Sequence, residues 1–247
     1  MSGARVLSTA VRRVGRIQSQ TKPQWLVGRN RPSAEIHRAS IHTTATRPST
    51  WRAEPARPPT TTPDPKDGLP EQLRGVMRRL AHSVVVCTAA DGAGRPRGMT
   101  MSSFVSLSME PVPLVSFNVR TPSRTLQAIG EGGGVFNVHV LAEGAEGARV
   151  AEWFTRGNSA GEGLFGGLPD GVEVVEEDGE APVLEGRGVL FVLRCRVLGE
   201  GIVRVRDHVV VVGEVEGVLK GEGEGFGLVY ADRRYRVLGD VLVKGNE

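Results

Sequence analysis

The chain has 247 residues, 31 Lys and Arg against 28 Asp and Glu, and a formal net charge of +3. The charge is unevenly placed: residues 1–60 hold Lys22 and ten arginines against Glu35 and Glu54, a local +9, and the remainder carries −6. A nucleic-acid-binding domain is therefore not expected, because the positive charge sits in a tail and not on the body. No apolar run approaches the ~18 residues of a membrane span.

Residues 1–52 are rich in Arg, Ser and Thr. On a helix, Leu7, Val11 and Val14 share one face, while Arg5, Arg12, Arg13 and Arg16 cover much of the rest. This pattern reads as a mitochondrial transit peptide and predicts a location in the mitochondrial matrix. The run Arg38-Ala-Ser-Ile-His-Thr-Thr-Ala45 resembles the end of many fungal mitochondrial presequences. A basic tail without an address has the same composition. Residues 53–70, with prolines at 55, 58, 59, 63, 65 and 70, read as a linker, because proline removes backbone donors and fixes φ. The folded domain is placed at 71–247.

Within that domain, Leu73, Val76, Met77 and Leu80 recur at helical spacing with Arg74, Arg78 and Arg79 opposite, which predicts an amphipathic helix. Residues 83–89, 99–108, 114–119 and 135–141 read as strands, and Ser123–Ile129 as a short helix ending at Gly130. Ala148, Val150, Ala151 and Phe154 mark another helix. Residues 172–176, 188–199 and 202–216 read as valine-rich strands separated by Gly/Glu turns. Many short strands without βα alternation predict a mainly β fold, an antiparallel barrel or sandwich.

Several signals are set aside. Gly221-Glu-Gly-Glu-Gly-Phe-Gly227 has no following helix, and its glutamates would repel a pyrophosphate, so it reads as a hairpin tip. Cys87 and Cys195 lie far apart in apolar runs and read as buried free thiols. The histidines show no ligand spacing, so no metal site is expected.

Residues 98–125 are more informative. Alternation along a continuous strand places Thr100, Ser102, Phe104, Ser106 and Ser108 on one face, a surface suited to hydrogen-bonding a polar ring system. Thr121-Pro-Ser-Arg-Thr125 brings hydroxyls and a guanidinium to a helix N-terminus, the chemistry of a phosphate site. Local chemistry alone equally describes an ordinary Ser N-cap beside a solvated arginine.

The ordered set Arg97-Gly-Met-Thr-Met-Ser-Ser-Phe-Val-Ser-Leu-Ser108, Pro113-Leu-Val-Ser-Phe-Asn118, Ser123-Arg-Thr125, Phe136-Asn-Val-His-Val-Leu141, Asp207-His208 and Tyr230-Ala-Asp-Arg-Arg-Tyr-Arg236 resembles the flavin reductase-like, FMN-binding split-barrel family. The resemblance implies a six-stranded antiparallel barrel with small helices, a homodimer, and an oxidoreductase that passes hydride from NADH or NADPH to FMN. A non-catalytic FMN-binding module of a mitochondrial complex is the alternative. The resemblance assigns Thr100, Ser102 and Ser103 to the flavin ring or ribityl chain and Ser123, Arg124 and Thr125 to its phosphate. Ser116, Phe117 and Asn118 lie on the strand that would run along the ring, although Phe117 is equally a core residue. Asn137 is either a flavin neighbour or a structural amide. His208 would stand beside the nicotinamide or be a surface residue at a strand start. Arg233 and Tyr235 would cover the cofactor or be exposed hairpin residues.

Overall fold

The computed structural model describes residues 51, 54–55, 57–60, 62–157 and 163–242; apart from Trp51, the transit-peptide reading lies outside the described residues. In chain order the elements are α1 (Leu69–Met77), β1 (His82–Ser83), β2 (Val85–Ala90), β3 (Pro96–Met101), β4 (Val105–Ser108), β5 (Leu114–Arg120), α2 (Arg124–Glu131) and β6 (Val135–Leu141). They continue with α3 (Ala145–Phe154), β7 (Glu173–Val175), β8 (Val183–Glu185), β9 (Val189–Val205), β10 (His208–Lys220), β11 (Val229–Ala231) and β12 (Arg234–Arg236).

Seven strands form the main sheet in the order β3-β2-β6-β9-β10-β5-β4, all neighbours antiparallel. Strands β3 and β4 stand at its opposite edges, yet only Ser102, Ser103 and Phe104 separate them in the chain. Four Cα steps reach at most about 14 Å, whereas seven flat strands would span about 29 Å. The sheet must therefore roll until its edges meet, which produces the expected antiparallel split barrel. Counting the bent segment 96–108 once recovers the six strands that the resemblance implies.

Side-chain alternation sorts two cores. Val85, Cys87 and Ala89 of β2 point into the barrel with Met101, Phe117, Phe136, Val138, Cys195 and Val211, and Ala128 and Ile129 of α2 join this cluster. Val84 and Val86 point outward, under Ala148, Val150, Ala151 and Phe154 of α3 and Leu184 of β8. A strand buried on both faces reads as a continuous apolar run, which is why Val84–Cys87 shows no polar alternation. Both cysteines are free and buried in the barrel interior. Burial pushes the Cys87 thiol up and that of Cys195 up to about 12, so both stay protonated and neither is a nucleophile.

On the outer face, three buried polar side chains pin the segment 181–184. Thr88 Oγ1 donates to the Pro182 carbonyl, and Asn137 Nδ2 donates to the carbonyls of Ala181 (2.7 Å) and Pro182 (3.2 Å). His139 Nε2 accepts from the Leu184 amide at 2.9 Å, so Nδ1 carries the proton and donates to the Val86 carbonyl at 3.2 Å. Burial lowers the His139 pKa to about 4 and keeps the ring neutral.

Four expectations change. The strand expected over 99–108 breaks at 102–104, so its hydroxyls do not share one face. The turn expected between 199 and 202 lies instead at Arg206–Asp207, where Arg206 takes a φ of 53°. Gly199 and Gly201 occupy a bulge within β9, between the pairs Val197–Gly213 and Ile202–Val211. A Cβ on Gly201 would stand 2.3 Å from the Val212 carbonyl oxygen, so the glycine serves close backbone approach. Helix α2 runs through Gly130 to a C-cap at Gly132. Helix α1 starts at Leu69, and its apolar stripe faces outward: Leu69, Leu73, Val76, Met77 and Leu80 are all exposed, while Gly75 is buried.

Candidate functional site

The break that closes the barrel also shapes a groove. At Ser102 the backbone leaves the β2 ladder, and β5 does not regain a β4 partner until Ser116 pairs with Val105. Ser103 bridges this gap with its side chain: Oγ accepts from the Asn118 amide (2.9 Å) and donates to the Asn118 carbonyl (3.2 Å). Across the groove, Ser123 caps α2 by accepting from the Leu126 amide at 3.2 Å. The Asp207 carbonyl accepts from the Thr121 amide (2.8 Å) and from Thr121 Oγ1 (3.0 Å), which fixes the β9–β10 turn against the end of β5.

The resulting groove has a volume of about 790 Å³. Thr100, Ser102, Ser103, Asn118, Ser123, Thr125 and His208 line it, so the fold brings these expected residues together from four elements and the breaks between them. Thr100 Oγ1 is committed to the Ala151 carbonyl of α3, whereas the exposed Ser102 hydroxyl makes no hydrogen bond among the described residues.

Other expected residues lie elsewhere. Phe117 is buried in the barrel core, edge-on to Phe136 with ring centroids 5.5 Å apart. Ser116 pairs between Val105 and Val212 and does not line the groove, and Asn137 is spent on the 181–182 carbonyls. Arg124 is exposed beside Ser123 but is not among the lining residues. The guanidinium that does line the groove is Arg120, which sequence reasoning missed. Its signal is the register of β5 against β10, where Arg120 faces His208. Arg120 Nε lies 3.5 Å from the Asp207 carboxylate, and His208 Nδ1 lies 2.9 Å from the same group. The His208 hydrogen bond, followed by the nearby charges, holds the Asp207 carboxyl below its usual range. Asp207 is not itself a lining residue, and among the described residues no carboxylate lines the groove.

A second, larger cleft of about 1250 Å³ adjoins the first and shares Thr100, Met101 and Ser102 with it. Arg233 and Tyr235 belong to this cleft, not to the groove. Asp232 and Arg233 sit in a turn with φ of 49° and 61°. The Tyr235 hydroxyl donates to Glu152 at 3.3 Å, and burial with the neighbouring carboxylate pushes its pKa up. Among the described residues no cluster of His, Cys, Asp or Glu could hold a metal ion.

The family described as flavin reductase like domain matches residues 77–239. The chain belongs to that family. The chain is 38% identical over 170 residues to the reductase component of 4-hydroxyphenylacetate 3-monooxygenase from Thermus thermophilus, spanning 69% of this chain and 97% of that relative. It is 33% identical over 148 residues to the NADH:FMN oxidoreductase of Rhodococcus erythropolis, spanning 59% and 68% of the two chains. The solved NADH:FAD oxidoreductase of Streptomyces globisporus C-1027 superposes with a TM-score of 0.57 at 30% identity, over 74% of this chain and all of that one. The family match begins at residue 77, so Trp51 and the proline-rich residues that line the larger cleft precede it.

Proposed function

We propose that the chain is an NAD(P)H-dependent flavin reductase that uses FMN, works as a homodimer and resides in the mitochondrial matrix. The observation that carries the reading is the groove itself, which gathers hydroxyls and one guanidinium, with no carboxylate, in a chain of the flavin reductase family. That donor set fits a flavin phosphate. Thr121, Ser123 and Thr125 with Arg120 would hold the dianion beside the N-terminus of α2, where the helix dipole favours negative charge. Ser102 and Thr100 would face the polar edge of the ring system.

A bound flavin supplies the redox chemistry, accepting hydride from the reduced nicotinamide. The protein's part is positioning: it binds both molecules in one cleft system and demands no nucleophile or carboxylate pair. The Asp207 carboxylate can only accept, so His208 Nδ1 donates to it, which leaves Nε2 to accept from a carboxamide N–H. The homodimer reading is supported by the exposed apolar side chains of α1 and by Val105, Leu107 and Met109 around β4, since large exposed apolar patches mark association surfaces. The matrix reading rests on the arginine-rich residues 1–52.

The test is purified full-length chain with NADH or NADPH and, separately, FMN, FAD and riboflavin, followed by nucleotide absorbance under air. Turnover with FMN at the lowest flavin KM is expected, with a sedimentation mass of twice the chain. A chain that binds no flavin and oxidises neither nucleotide would overturn the enzyme reading. A fusion of residues 1–55 to a reporter should enter mitochondria; a cytosolic reporter would remove the address.

A further inference from the structure

One carboxylate stands behind two residues of the groove. Arg120 and His208 face each other across β5 and β10 and both line the groove, whereas Asp207 sits in the adjoining turn and does not. That turn is anchored, because the Asp207 carbonyl accepts from both the amide and the hydroxyl of Thr121. The two side chains use different oxygens of the carboxylate: Arg120 Nε approaches Oδ2, and His208 Nδ1 donates to Oδ1.

The two contacts differ in strength. The histidine contact, at 2.9 Å, is a formed hydrogen bond, whereas the arginine contact, at 3.5 Å, lies beyond the ordinary range for one. Arg120 is therefore held by charge alone, and an exposed pair of this kind is easily exchanged. Asp207 is its only ion-pair partner among the described residues. A phosphate brings close to two negative charges and three acceptor oxygens, so it outcompetes a single loose carboxylate for the guanidinium. Once Arg120 turns to the phosphate, the carboxylate serves His208 alone. With the nearby cation gone, it pulls harder on Nδ1–H, and because linked hydrogen bonds polarise one another, Nε2 becomes the better acceptor.

We propose that Asp207 is a positioning residue that couples the two ends of the groove. A flavin phosphate that takes Arg120 leaves the carboxylate to His208 and so strengthens the histidine's hold on the nicotinamide carboxamide. The inference rests on the NAD(P)H- and FMN-dependent reading above. It makes the phosphate, a group remote from the reacting ring, a determinant of how well the second substrate binds. Riboflavin has the same ring and no phosphate, so it leaves Arg120 on Asp207.

Full-length wild type, Asp207→Asn and Arg120→Ala are each saturated with FMN or with riboflavin. Calorimetry then gives the Kd of a tetrahydro analogue of NADH that cannot release hydride. Asp207→Asn removes the charge but keeps an acceptor for Nδ1. Wild type should bind the analogue about two- to fivefold tighter with FMN than with riboflavin. In both variants the ratio should fall to about one, at the weaker affinity in Asp207→Asn and at the tighter affinity in Arg120→Ala. Coupling between sites is reciprocal, so the analogue should tighten FMN binding to wild type by the same factor. In histidine-labelled protein, the His208 ring resonance should move with FMN or inorganic phosphate but not with riboflavin, and should stay still in Arg120→Ala. The same ratio in all three proteins, or weaker analogue binding in riboflavin-loaded Arg120→Ala than in wild type, would overturn the coupling. If wild type binds no flavin and oxidises neither nucleotide, the enzyme reading fails by itself. The titration with inorganic phosphate then decides the inference: a His208 shift that needs Arg120 supports it, and no shift overturns it.

Discussion

Acidification should unfasten the outer face of the barrel through a single buried side chain. His139 titrates near 6.5 in an unfolded chain and at about 4 in the fold, because burial penalises its charged form. A depressed folded pKa leaves the neutral ring at full stability above pH 6.5 and withdraws that stability as pH falls from 6.5 towards 4. The whole span of two and a half units corresponds to about 3.5 kcal/mol at roughly 1.4 kcal/mol per unit, and about 2 kcal/mol of it is lost by pH 5. The carboxyls of Asp91 and Asp232 lie below their ordinary values, so their contribution is present above about pH 4 and fades only below it. The window from 6.5 to 5 therefore belongs to the histidine. Urea unfolding at pH 7.5, 6.0 and 5.0 measures the loss. His139→Gln, whose amide can donate to Val86 and accept from Leu184, should start about 1–2 kcal/mol less stable at pH 7.5 but stay flat across the window. A wild type as stable at pH 5 as at 7.5, or a glutamine variant falling in parallel with it, would refute the reasoning.

Arg120→Ala should weaken FMN binding about five- to thirtyfold and riboflavin much less; the guanidinium side chain is 78% exposed, which moderates the charge-assisted bond. Arg124→Ala, outside the lining, should cost less than Arg120→Ala in the same fluorescence titration, and the reverse order would move the phosphate. His208→Ala should raise the nicotinamide KM about threefold to tenfold with FMN affinity retained; loss of FMN with normal nucleotide kinetics would assign the histidine to the other ligand. Gly98→Ala places a Cβ 2.7 Å from the buried Phe154 ring and should cost about 1–3 kcal/mol by overpacking, read as a lower denaturant midpoint; an unchanged midpoint would show that the ring yields freely.

The barrel was largely legible because β2, β5 and β6 carry β-branched runs bounded by turn residues. What local pattern could not show is where a strand must bend to close the barrel. The hydroxyl alternation from Thr100 to Ser108 continues through 102–104 as though the strand did, since closure is imposed by strands far away in the chain. Gly199 and Gly201 looked like a turn because a turn and a bulge both favour glycine; only the pairing of Val197 with Gly213 and Ile202 with Val211 separates them. In the groove, Thr100, Ser102, Ser123 and Thr125 are lining residues that the ordered family motifs had already named. Arg120 was not, because its place in the groove comes from facing His208 across two strands. The stripe on α1 was read correctly as amphipathic, but periodicity does not say which face meets the domain.

The stitch at Ser102–Phe104 would give the molecule a clasp in the same place as its proposed cargo. A flavin seated between Ser102, Ser103 and Ser123 would tie the segment that joins the two edge strands to the start of α2, so occupancy and closure would be linked. At a flavin concentration a hundredfold above Kd, linkage alone adds about 2.7 kcal/mol to the folded state. The loaded barrel should resist opening along this line above all others. For an empty chain the same line is the natural place to come undone, and cellular flavin supply would then help set how long the protein survives.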